Sequence, residues 1–282
     1  MGKIKVIGGR TLEGSLRVQG AKNSVLPILA ASILIEGESL LKNCPDLKDV
    51  AAAISILRHL GCKVTREGHD VHIDARTLVR SDIPDHLMRE MRSSVIFLGA
   101  ILGRTGEALL SMPGGCELGP RPIDLHVAAL RALGADLDES GGGIICRAGD
   151  KLKGTRINLD SPSVGATENA MLAAVCAEGE TVITNAAREP EIVDLQNFLV
   201  SAGAKVEGAG QSTITVQGGE KLKPVTHRVM PDRIVAATYL SAVALSGGEI
   251  ELKDIVPAHI ETVTDCLRAA GCRITVSGTT SA

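Results

Sequence analysis

The chain has 282 residues, of which 44% are apolar and 22% charged, and its formal net charge is only -3. This composition excludes a disordered polyelectrolyte and a strongly basic nucleic-acid-binding surface. The aromatic residues are Phe97, Phe198 and Tyr239, with no Trp, which excludes a base-stacking platform for nucleic acid. We expect about two domains, with cores built from Leu, Ile, Val and Ala.

A repeat of about 70 residues runs through the sequence, and a glycine follows a similar helical segment in each copy. These glycines are Gly61, Gly134, Gly203 and Gly271. Glycine at this place is typical of a left-handed helix C-cap. A second series of glycines, at positions 37, 106, 179 and 248, has the same period and precedes strand-like segments. Two markers in phase indicate four copies of one structural unit.

Each unit is predicted to run strand, helix, strand, helix and two-stranded hairpin. The first helix is almost wholly apolar, which predicts burial, whereas the second has polar gaps that predict partial exposure. In chain order, the clearest predicted helices span residues 23–35, 49–60, 124–133 and 164–177. Three such units around a pseudo-threefold axis would occupy a length close to residues 22–228.

The cysteines are odd in number and scattered, with no CxxC pair and no metal-type histidine spacing. They stand at positions 44, 62, 116, 146, 176, 266 and 272. A disulfide framework is therefore not expected, and no secretory signal opens the chain, so we expect a cytoplasmic protein. The longest apolar stretches, residues 24–35 and 93–102, are shorter than the roughly 18 residues that cross a bilayer.

The first candidate anion site is Lys22 with Asn23, which open the first apolar helix after a predicted strand. A helix N-terminus attracts anions through free N–H groups and the helix dipole, and Lys22 adds a charge. An exposed lysine at a helix start is also commonly an ordinary solvated charge, so the pattern leaves both interpretations open. The equivalent polar helix start at Ser161–Val164 favours a ligand.

The second candidate site is the Gly- and Pro-rich segment 112–126, whose composition predicts an exposed, shaped loop entering a helix. Cys116 stands in this loop, whereas the other cysteines lie in or beside apolar patterns and are best interpreted as small core residues. Arg121 would lower the pKa of such a thiol and bind an anion. Arg92 precedes another buried helix, where an ordinary surface role is equally consistent with the sequence. His126 is most simply a surface or internally hydrogen-bonded histidine.

Several motifs together resemble one family. They are QGAKNSVLPILAAS (19–32), MRSS (91–94), PGGCELGPRPIDLH (113–126), PSVGATENAML (162–172), NAAREPEIVDL (185–195) and MPDRI (230–234). This set, which covers essentially the whole chain, is similar to the UDP-N-acetylglucosamine 1-carboxyvinyltransferases, the MurA enolpyruvyl transferases of peptidoglycan synthesis. The resemblance implies an α/β fold, an inside-out α/β barrel of βαβαββ repeats. It also implies transfer of the enolpyruvyl group of phosphoenolpyruvate to the 3′-hydroxyl of UDP-N-acetylglucosamine, with release of phosphate.

The same resemblance implies site residues and no metal or organic cofactor. Cys116 would be the proton donor, the site of a covalent phosphoenolpyruvate adduct and the thiol alkylated by fosfomycin. Lys22 and Asn23 would bind phosphoenolpyruvate. The groups expected to bind UDP-N-acetylglucosamine and phosphate are Arg92, Arg121, Pro122, Ile123, Asp124, Leu125, Ser161, Pro162, Ser163 and Val164. Membrane and nucleic-acid partners are not expected.

The number of repeats departs from the family pattern, since complete members carry six and this sequence supplies four. We expect residues 22–229 to form a complete three-repeat domain, and residues 1–21 with 230–282 to form one repeat of an incomplete second domain. The absent repeats would carry the family's proposed general base, an aspartate, and no residue here is assigned that role. The chain is thus expected to be an inactive fragment.

Two alternatives remain open from the sequence. One is a 5-enolpyruvylshikimate-3-phosphate synthase-like transferase, which shares the repeat fold but uses no cysteine in the loop. The other is a non-catalytic truncated paralogue that binds a UDP-sugar or a protein.

Overall fold

The protein is described here from a computed structural model, which covers residues 3–5, 7–91, 93–111, 123–139 and 142–277. The strands are β1 Leu12–Arg17, β2 Glu38–Lys42, β3 Lys63–Glu67, β4 Asp70–Asp74, β5 Asp82–Ile83, β6 Glu107–Ser111, β7 Asp136–Asp138, β8 Gly143–Arg147, β9 Arg156–Asn158, β10 Glu180–Thr184, β11 Lys205–Glu207, β12 Thr213–Gln217, β13 Val225–Arg228 and β14 Gly248–Lys253. The α-helices are α1 Lys22–Ala31, α2 Lys48–His59, α3 Asp85–Glu90, α4 Phe97–Thr105, α5 Asp124–Ala132, α6 Val164–Cys176, α7 Pro190–Ser201, α8 Arg233–Ser246 and α9 Glu261–Ala269.

The chain divides into two compact units, one of residues Lys22–Met230 and one of residues Met1–Ala21 with Pro231–Ala282. The larger unit holds three four-stranded sheets with one common order. They are β13-β2-β4-β3, β5-β6-β8-β7 and β9-β10-β12-β11. In each sheet the first two strands are parallel and the last two form an antiparallel hairpin. This order repeats the predicted strand, helix, strand, helix, hairpin unit three times.

The first sheet takes its outer strand from the far end of the unit. Strand β13 pairs in parallel with β2, with Val225 opposite Ser39. The strand that precedes α1 in sequence, β1, instead pairs with β14 in the smaller unit. The first sheet of the larger unit is therefore completed by a strand that lies about 200 residues after α1 in the sequence.

Helices form the interior of the larger unit, and the sheets have one face in solvent. Helix α4 contacts both α1 and α6, and all three helices are largely buried, as predicted for the first helix of each repeat. Strands such as β2 and β10 bury alternate residues, so only one face of each sheet meets the helices. The core is aliphatic apart from Phe97 and Phe198, which are both fully buried. Helices inside and sheets outside are the arrangement that the term inside-out describes.

The glycines that follow the second helices adopt the predicted left-handed conformation. Their φ values are +103° at Gly61, +92° at Gly134, +102° at Gly203 and +97° at Gly271. Residues with a Cβ adopt this region at a cost, which explains why the repeat keeps glycine there.

The smaller unit contains β1, β14, α8 and α9. Its buried apolar cluster consists of Val18, Ala236 and Ile260. Helix α8 is as apolar as the first helices of the other repeats, yet Ala236 is its one buried residue. The strand predicted after Gly271 is not formed, because residues 272–277 pair with no strand in the described part of the chain. A strand exists only where a neighbour supplies hydrogen bonds.

Two further features concern the helices. The short helix α3 precedes the second apolar helix and has no counterpart in the other repeats, so the repeat did not predict it.

Across the described residues, no helix is both long enough and apolar enough to span a membrane.

Candidate functional site

The repeat topology places helix N-termini together at one edge of each sheet. Strands β9 and β10 are parallel, so α6 and α7, which follow them, begin at the same edge. Strands β5 and β6 are also parallel, and α4 and α5 come after them. In the first sheet α2 follows β2, and α1 begins beside α2, because Lys22 in the first turn of α1 contacts Asp49 in the first turn of α2. In mixed α/β folds, ligands bind outside the carboxyl ends of parallel strands. We call this side of the larger unit the N-terminal face.

Lys22 and Asn23 are the first two residues of α1 on this face. The ammonium nitrogen of Lys22 lies 3.5 Å from Oδ2 of Asp49, in the first turn of α2. Both side chains are partly exposed, and Asn23 is exposed, while the rest of α1 is buried. The sequence therefore presents two polar groups to solvent at the end of an otherwise enclosed helix.

The carboxylate of Asp194, near the start of α7, holds the first turn of α1. Its Oδ2 accepts hydrogen bonds from the Ser24 hydroxyl and, at 3.1 Å, from the Met230 backbone N–H. Its Oδ1 accepts from Nε2 of His227 at 3.0 Å, and the His227 ring meets the edge of Phe198. Asp194 was not predicted as a site residue, because nothing local in its sequence indicates partners that lie far along the chain.

The predicted segment Ser161–Val164 leads into α6. Ser161 and Pro162 are exposed, whereas Ser163 and Val164 are half-buried. Ser163 is the N-cap of α6, and its hydroxyl accepts a hydrogen bond from the Ala166 N–H at 3.4 Å. One turn later the Thr167 hydroxyl accepts from the N–H of Ala187, in the loop before α7.

The predicted segment Ile123–Leu125 leads into α5. Ile123 is buried, Asp124 is exposed and Leu125 is half-buried. His126 follows and is buried, and its Nδ1 lies 2.7 Å from the side-chain nitrogen of Asn169 on α6. The second interpretation of His126, an internally hydrogen-bonded histidine, is therefore correct.

Contacts near the helix starts thus involve five of the six helices on the N-terminal face. Lys22 joins α1 to α2, and Asp194 joins α1 to α7. The contact of His126 with Asn169 joins α5 to α6. Lys22 with Asn23 and the two segments Ile123–Leu125 and Ser161–Val164 therefore belong to one face of the larger unit. Cys116, Arg92, Arg121 and Pro122 lie outside the described residues.

The described cysteines divide into protected and accessible thiols, and none of them forms a disulfide. Burial raises the pKa of Cys44 and of Cys146 to about 12, and the pKa of Cys62 and of Cys176 to about 11. The sequence predicted that all six cysteines other than Cys116 are small core residues; these four agree with that prediction, whereas Cys272 is half-buried. Cys266 is exposed on α9, where a buried side chain was predicted, because this helix has little of the smaller unit packed against it.

The N-terminal face is suited to binding anions. Helix N-termini present N–H groups without intrahelical acceptors and the positive end of the helix dipole. Lys22 adds a positive charge, which is partly exposed beside Asp49. Among the residues that the structure covers, no cluster of His, Cys, Asp or Glu has the geometry of a metal site.

Comparison with solved structures defines the class of protein. The enolpyruvyl transferase NikO from Streptomyces tendae superposes with a TM-score of 0.85 at 25% identity, covering 96% of this chain and 65% of that one. The EPSP synthase from Acinetobacter baumannii superposes with a TM-score of 0.72 at 22% identity, covering 94% and 60%. The fold is that of the enolpyruvyl transferases, which confirms the predicted fold class.

Sequence comparison narrows this class. The profile of the family EPSP synthase (3-phosphoshikimate 1-carboxyvinyltransferase) matches residues 6–282. UDP-N-acetylglucosamine 1-carboxyvinyltransferase 2 of Caldanaerobacter subterraneus subsp. tengcongensis is 53% identical over 274 residues, which cover 97% of this chain and 66% of that protein. UDP-N-acetylglucosamine 1-carboxyvinyltransferase 1 of Symbiobacterium thermophilum is 50% identical, with coverages of 97% and 63%.

The chain therefore belongs to the enolpyruvyl transferase family and, within it, to the UDP-N-acetylglucosamine 1-carboxyvinyltransferases. It spans about two thirds of the length of these curated relatives, 66% of one and 63% of the other.

Proposed function

We propose that this chain belongs to an enzyme that transfers the enolpyruvyl group of phosphoenolpyruvate to the 3′-hydroxyl of UDP-N-acetylglucosamine and releases phosphate. This reaction is the first committed step of peptidoglycan synthesis. The observation that carries the proposal is identity of 45–53% to proteins named UDP-N-acetylglucosamine 1-carboxyvinyltransferase. The N-terminal face supports it, since both substrates are anions.

The described residues are proposed to bind the two substrates. Lys22 would neutralise the phosphate of phosphoenolpyruvate as a point charge, and Asn23 would donate or accept a hydrogen bond beside it. The segments Ile123–Leu125 and Ser161–Val164 would hold UDP-N-acetylglucosamine, with N–H groups at the two helix starts near its diphosphate. Arg92, Arg121 and Pro122 are proposed to complete these sites.

Cys116 is proposed to supply the acid. The reaction requires protonation of the methylene carbon of phosphoenolpyruvate, attack of the sugar hydroxyl on the adjacent carbon, and loss of phosphate from the tetrahedral intermediate. A thiol beside Arg121 is suited to give and recover a proton near neutral pH, and as thiolate it also forms a covalent adduct. The four core cysteines are unsuited, because burial holds their pKa values at about 11 to 12.

Alkylation by fosfomycin tests this assignment. The chain is incubated with fosfomycin with and without UDP-N-acetylglucosamine, and the modified peptide is identified by mass spectrometry. We expect one adduct on Cys116 that the nucleotide sugar promotes, no adduct in Cys116→Ser, and an unchanged adduct in the control Cys266→Ser. An unmodified Cys116 in the folded wild type contradicts the proposal. A large loss of thermal stability in Cys116→Ser would instead identify Cys116 as a core residue.

We also propose how the two units correspond to the domains of the whole enzyme. The unit Lys22–Met230 would be a complete domain of three repeats, and the smaller unit would be one repeat of a second domain. No residue in these 282 is assigned as the general base. We therefore expect the 282 residues to bind UDP-N-acetylglucosamine without turnover. Phosphate release that depends on both substrates would contradict this expectation.

The alternatives make different predictions in the same assays. A 5-enolpyruvylshikimate-3-phosphate synthase-like enzyme would bind shikimate 3-phosphate, but the solved EPSP synthase is only 22% identical and supports the fold alone. A truncated paralogue that binds only the nucleotide sugar would show calorimetric affinity for it and no fosfomycin adduct. Absence of affinity for UDP-N-acetylglucosamine would exclude this paralogue.

The cellular setting is also a proposal. Cytoplasmic location follows from the substrates and agrees with unpaired thiols in the described cysteines. Through peptidoglycan synthesis the enzyme would contribute to cell-wall biogenesis, cell shape, cell division and the cell cycle.

A further inference from the structure

The buried amide of Asn169 joins three helical segments behind the N-terminal face. We propose that Asn169 is a positioning residue: it fixes the tautomer of His126 and thereby sets the helix starts that carry Ile123–Leu125 and Ser161–Val164. Its link to substrate binding rests on the proposed function.

Two backbone groups determine the orientation of the Asn169 amide. Its Oδ1 accepts a hydrogen bond from the Gly99 N–H at 2.6 Å, so the oxygen has to face that donor. Its Nδ2 donates to the Val95 carbonyl at 3.0 Å, so the nitrogen has to face that acceptor. A flipped amide would set donor against donor and acceptor against acceptor at a fully buried site.

The remaining hydrogen on Nδ2 points to Nδ1 of His126, 2.7 Å away. Since Asn169 donates, Nδ1 of His126 has to be the acceptor and carries no proton. The ring is therefore neutral and bears its proton on Nε2. Two peptide groups near the start of α4 thus decide, through one amide, the protonation pattern of a ring on α5.

The ring of His126 in turn lies against the first turn of α6. A Cβ added at Gly165 would lie 2.9 Å from Cε1 of this ring, which is closer than real Cβ contacts come, and 3.2 Å from its Nε2, which is a tight contact. Gly165 follows Val164, the last residue of one proposed binding segment, and His126 follows Leu125, the last residue of the other. The ring and the amide therefore fix the distance between the two segments.

Asn169 acts without touching the substrate, because its side chain is fully enclosed and its polar atoms are taken up by Gly99, Val95 and His126. Its contribution to binding is preorganisation: a ligand that contacts both helix starts meets them already in place.

Asn169→Asp is the most direct test, because it keeps the shape and removes the donor. One carboxylate oxygen still accepts from Gly99, but the other faces the Val95 carbonyl and Nδ1 of His126. We expect His126 to take up a proton on Nδ1, which ¹H–¹⁵N correlation spectra of the imidazole detect. We also expect affinity for UDP-N-acetylglucosamine to fall by about tenfold or more, since about 1.4 kcal/mol accounts for each factor of ten.

Asn43→Asp is the matched control. The Asn43 amide also donates to a backbone carbonyl, that of Val229 at 3.0 Å, but it belongs to the first repeat. We expect this variant to keep the His126 spectrum of the wild type and its nucleotide-sugar affinity.

Gly165→Ala tests the same contact from the other side and serves if Asn169→Asp does not fold. Its methyl group would displace the His126 ring, so we expect weaker binding of UDP-N-acetylglucosamine and a shifted His126 signal, with the amide of Asn169 intact.

The outcomes separate this inference from the proposed function. A wild-type His126 ring that is charged or protonated on Nδ1 at neutral pH overturns the inference. So does a variant of Asn169 that changes the tautomer but leaves affinity unchanged. A wild-type chain that does not bind UDP-N-acetylglucosamine overturns the proposed function, and the His126 spectra alone then decide whether Asn169 sets the tautomer.

Discussion

Replacing Asp194 tests how the start of α1 is held. Its carboxylate accepts three hydrogen bonds, from the Ser24 hydroxyl, the Met230 N–H and the His227 ring. Asp194→Ala leaves all three donors without their acceptor. Ser24 and Met230 are buried and cannot turn to water, and each abandoned donor costs about 1–3 kcal/mol. The His227 ring is only partly enclosed, so we count the other two donors and expect a loss of about 2–6 kcal/mol.

Asp194→Asn should be much milder. The amide oxygen can face Ser24 and Met230, while the NH₂ group faces Nε2 of His227, which accepts once its proton moves to Nδ1. The hydrogen bonds from Ser24 and Met230 would then end on a neutral amide oxygen instead of a charged carboxylate, and we expect this to lower stability by about 1–2 kcal/mol. The exposed control Asp85→Asn removes an i,i+4 pair with Arg89 and should change stability by less than about 1 kcal/mol.

Hydrogen exchange read by mass spectrometry is the suitable assay, because a chain with two compact units need not unfold in one step. We expect Asp194→Ala to lower the opening free energy of peptides from α1 and β13 most. Equal effects of the Ala and Asn variants, or an Ala effect no larger than that of Asp85→Asn, would refute the reasoning from abandoned buried donors.

Three further predictions concern charge, thiol protection and backbone conformation. Lys22→Met should weaken phosphoenolpyruvate binding by about tenfold, and it should change stability little because the Lys22–Asp49 ion pair is partly exposed. Calorimetry with UDP-N-acetylglucosamine present measures the affinity for phosphoenolpyruvate, and an unchanged affinity contradicts the prediction. In the native chain at neutral pH, iodoacetamide should label the exposed Cys266 and leave Cys44 unmodified. Burial raises the pKa of Cys44 from 9.0 to about 12, so little of it is thiolate. Labelling of Cys44 without denaturant would contradict this prediction. Gly203→Ala should cost about 1–2 kcal/mol for its positive φ alone. Gly61→Ala should cost more, because its Cβ would also lie 2.7 Å from a backbone carbonyl oxygen, and thermal unfolding that ranks the two the other way would contradict this.

The sequence predicted much of the larger unit because its signals are local. The apolar run that opens at Asn23 indicated a buried helix, and glycines such as Gly134 indicated a left-handed cap. Both patterns depend on residues within a few positions of each other. Helix α3 and the exposure of Cys266 were not predicted, because each depends on what neighbouring segments do.

In the candidate site, too, some features could be predicted from local sequence and others could not. Lys22, Asn23 and the two binding segments could be named from sequence, since glycine, lysine and polar residues at helix starts have a local anion-binding chemistry. That these positions share one face follows from the parallel pairs β9–β10 and β5–β6 and from the contact of Lys22 with Asp49, and no local pattern specifies these pairings.

The sequence by itself determined the repeat, the family motifs and the kind of ligand that the helix starts attract. Only the tertiary structure decided which strand closes the first sheet and which buried groups hold the site. Ser24 donates a hydrogen bond to Asp194, which lies 170 residues later in the sequence. Asn169 accepts one from Gly99, which lies 70 residues earlier. The physical reason is that a buried polar side chain is stable only with its partners, and those partners are brought together by the folding of the whole unit.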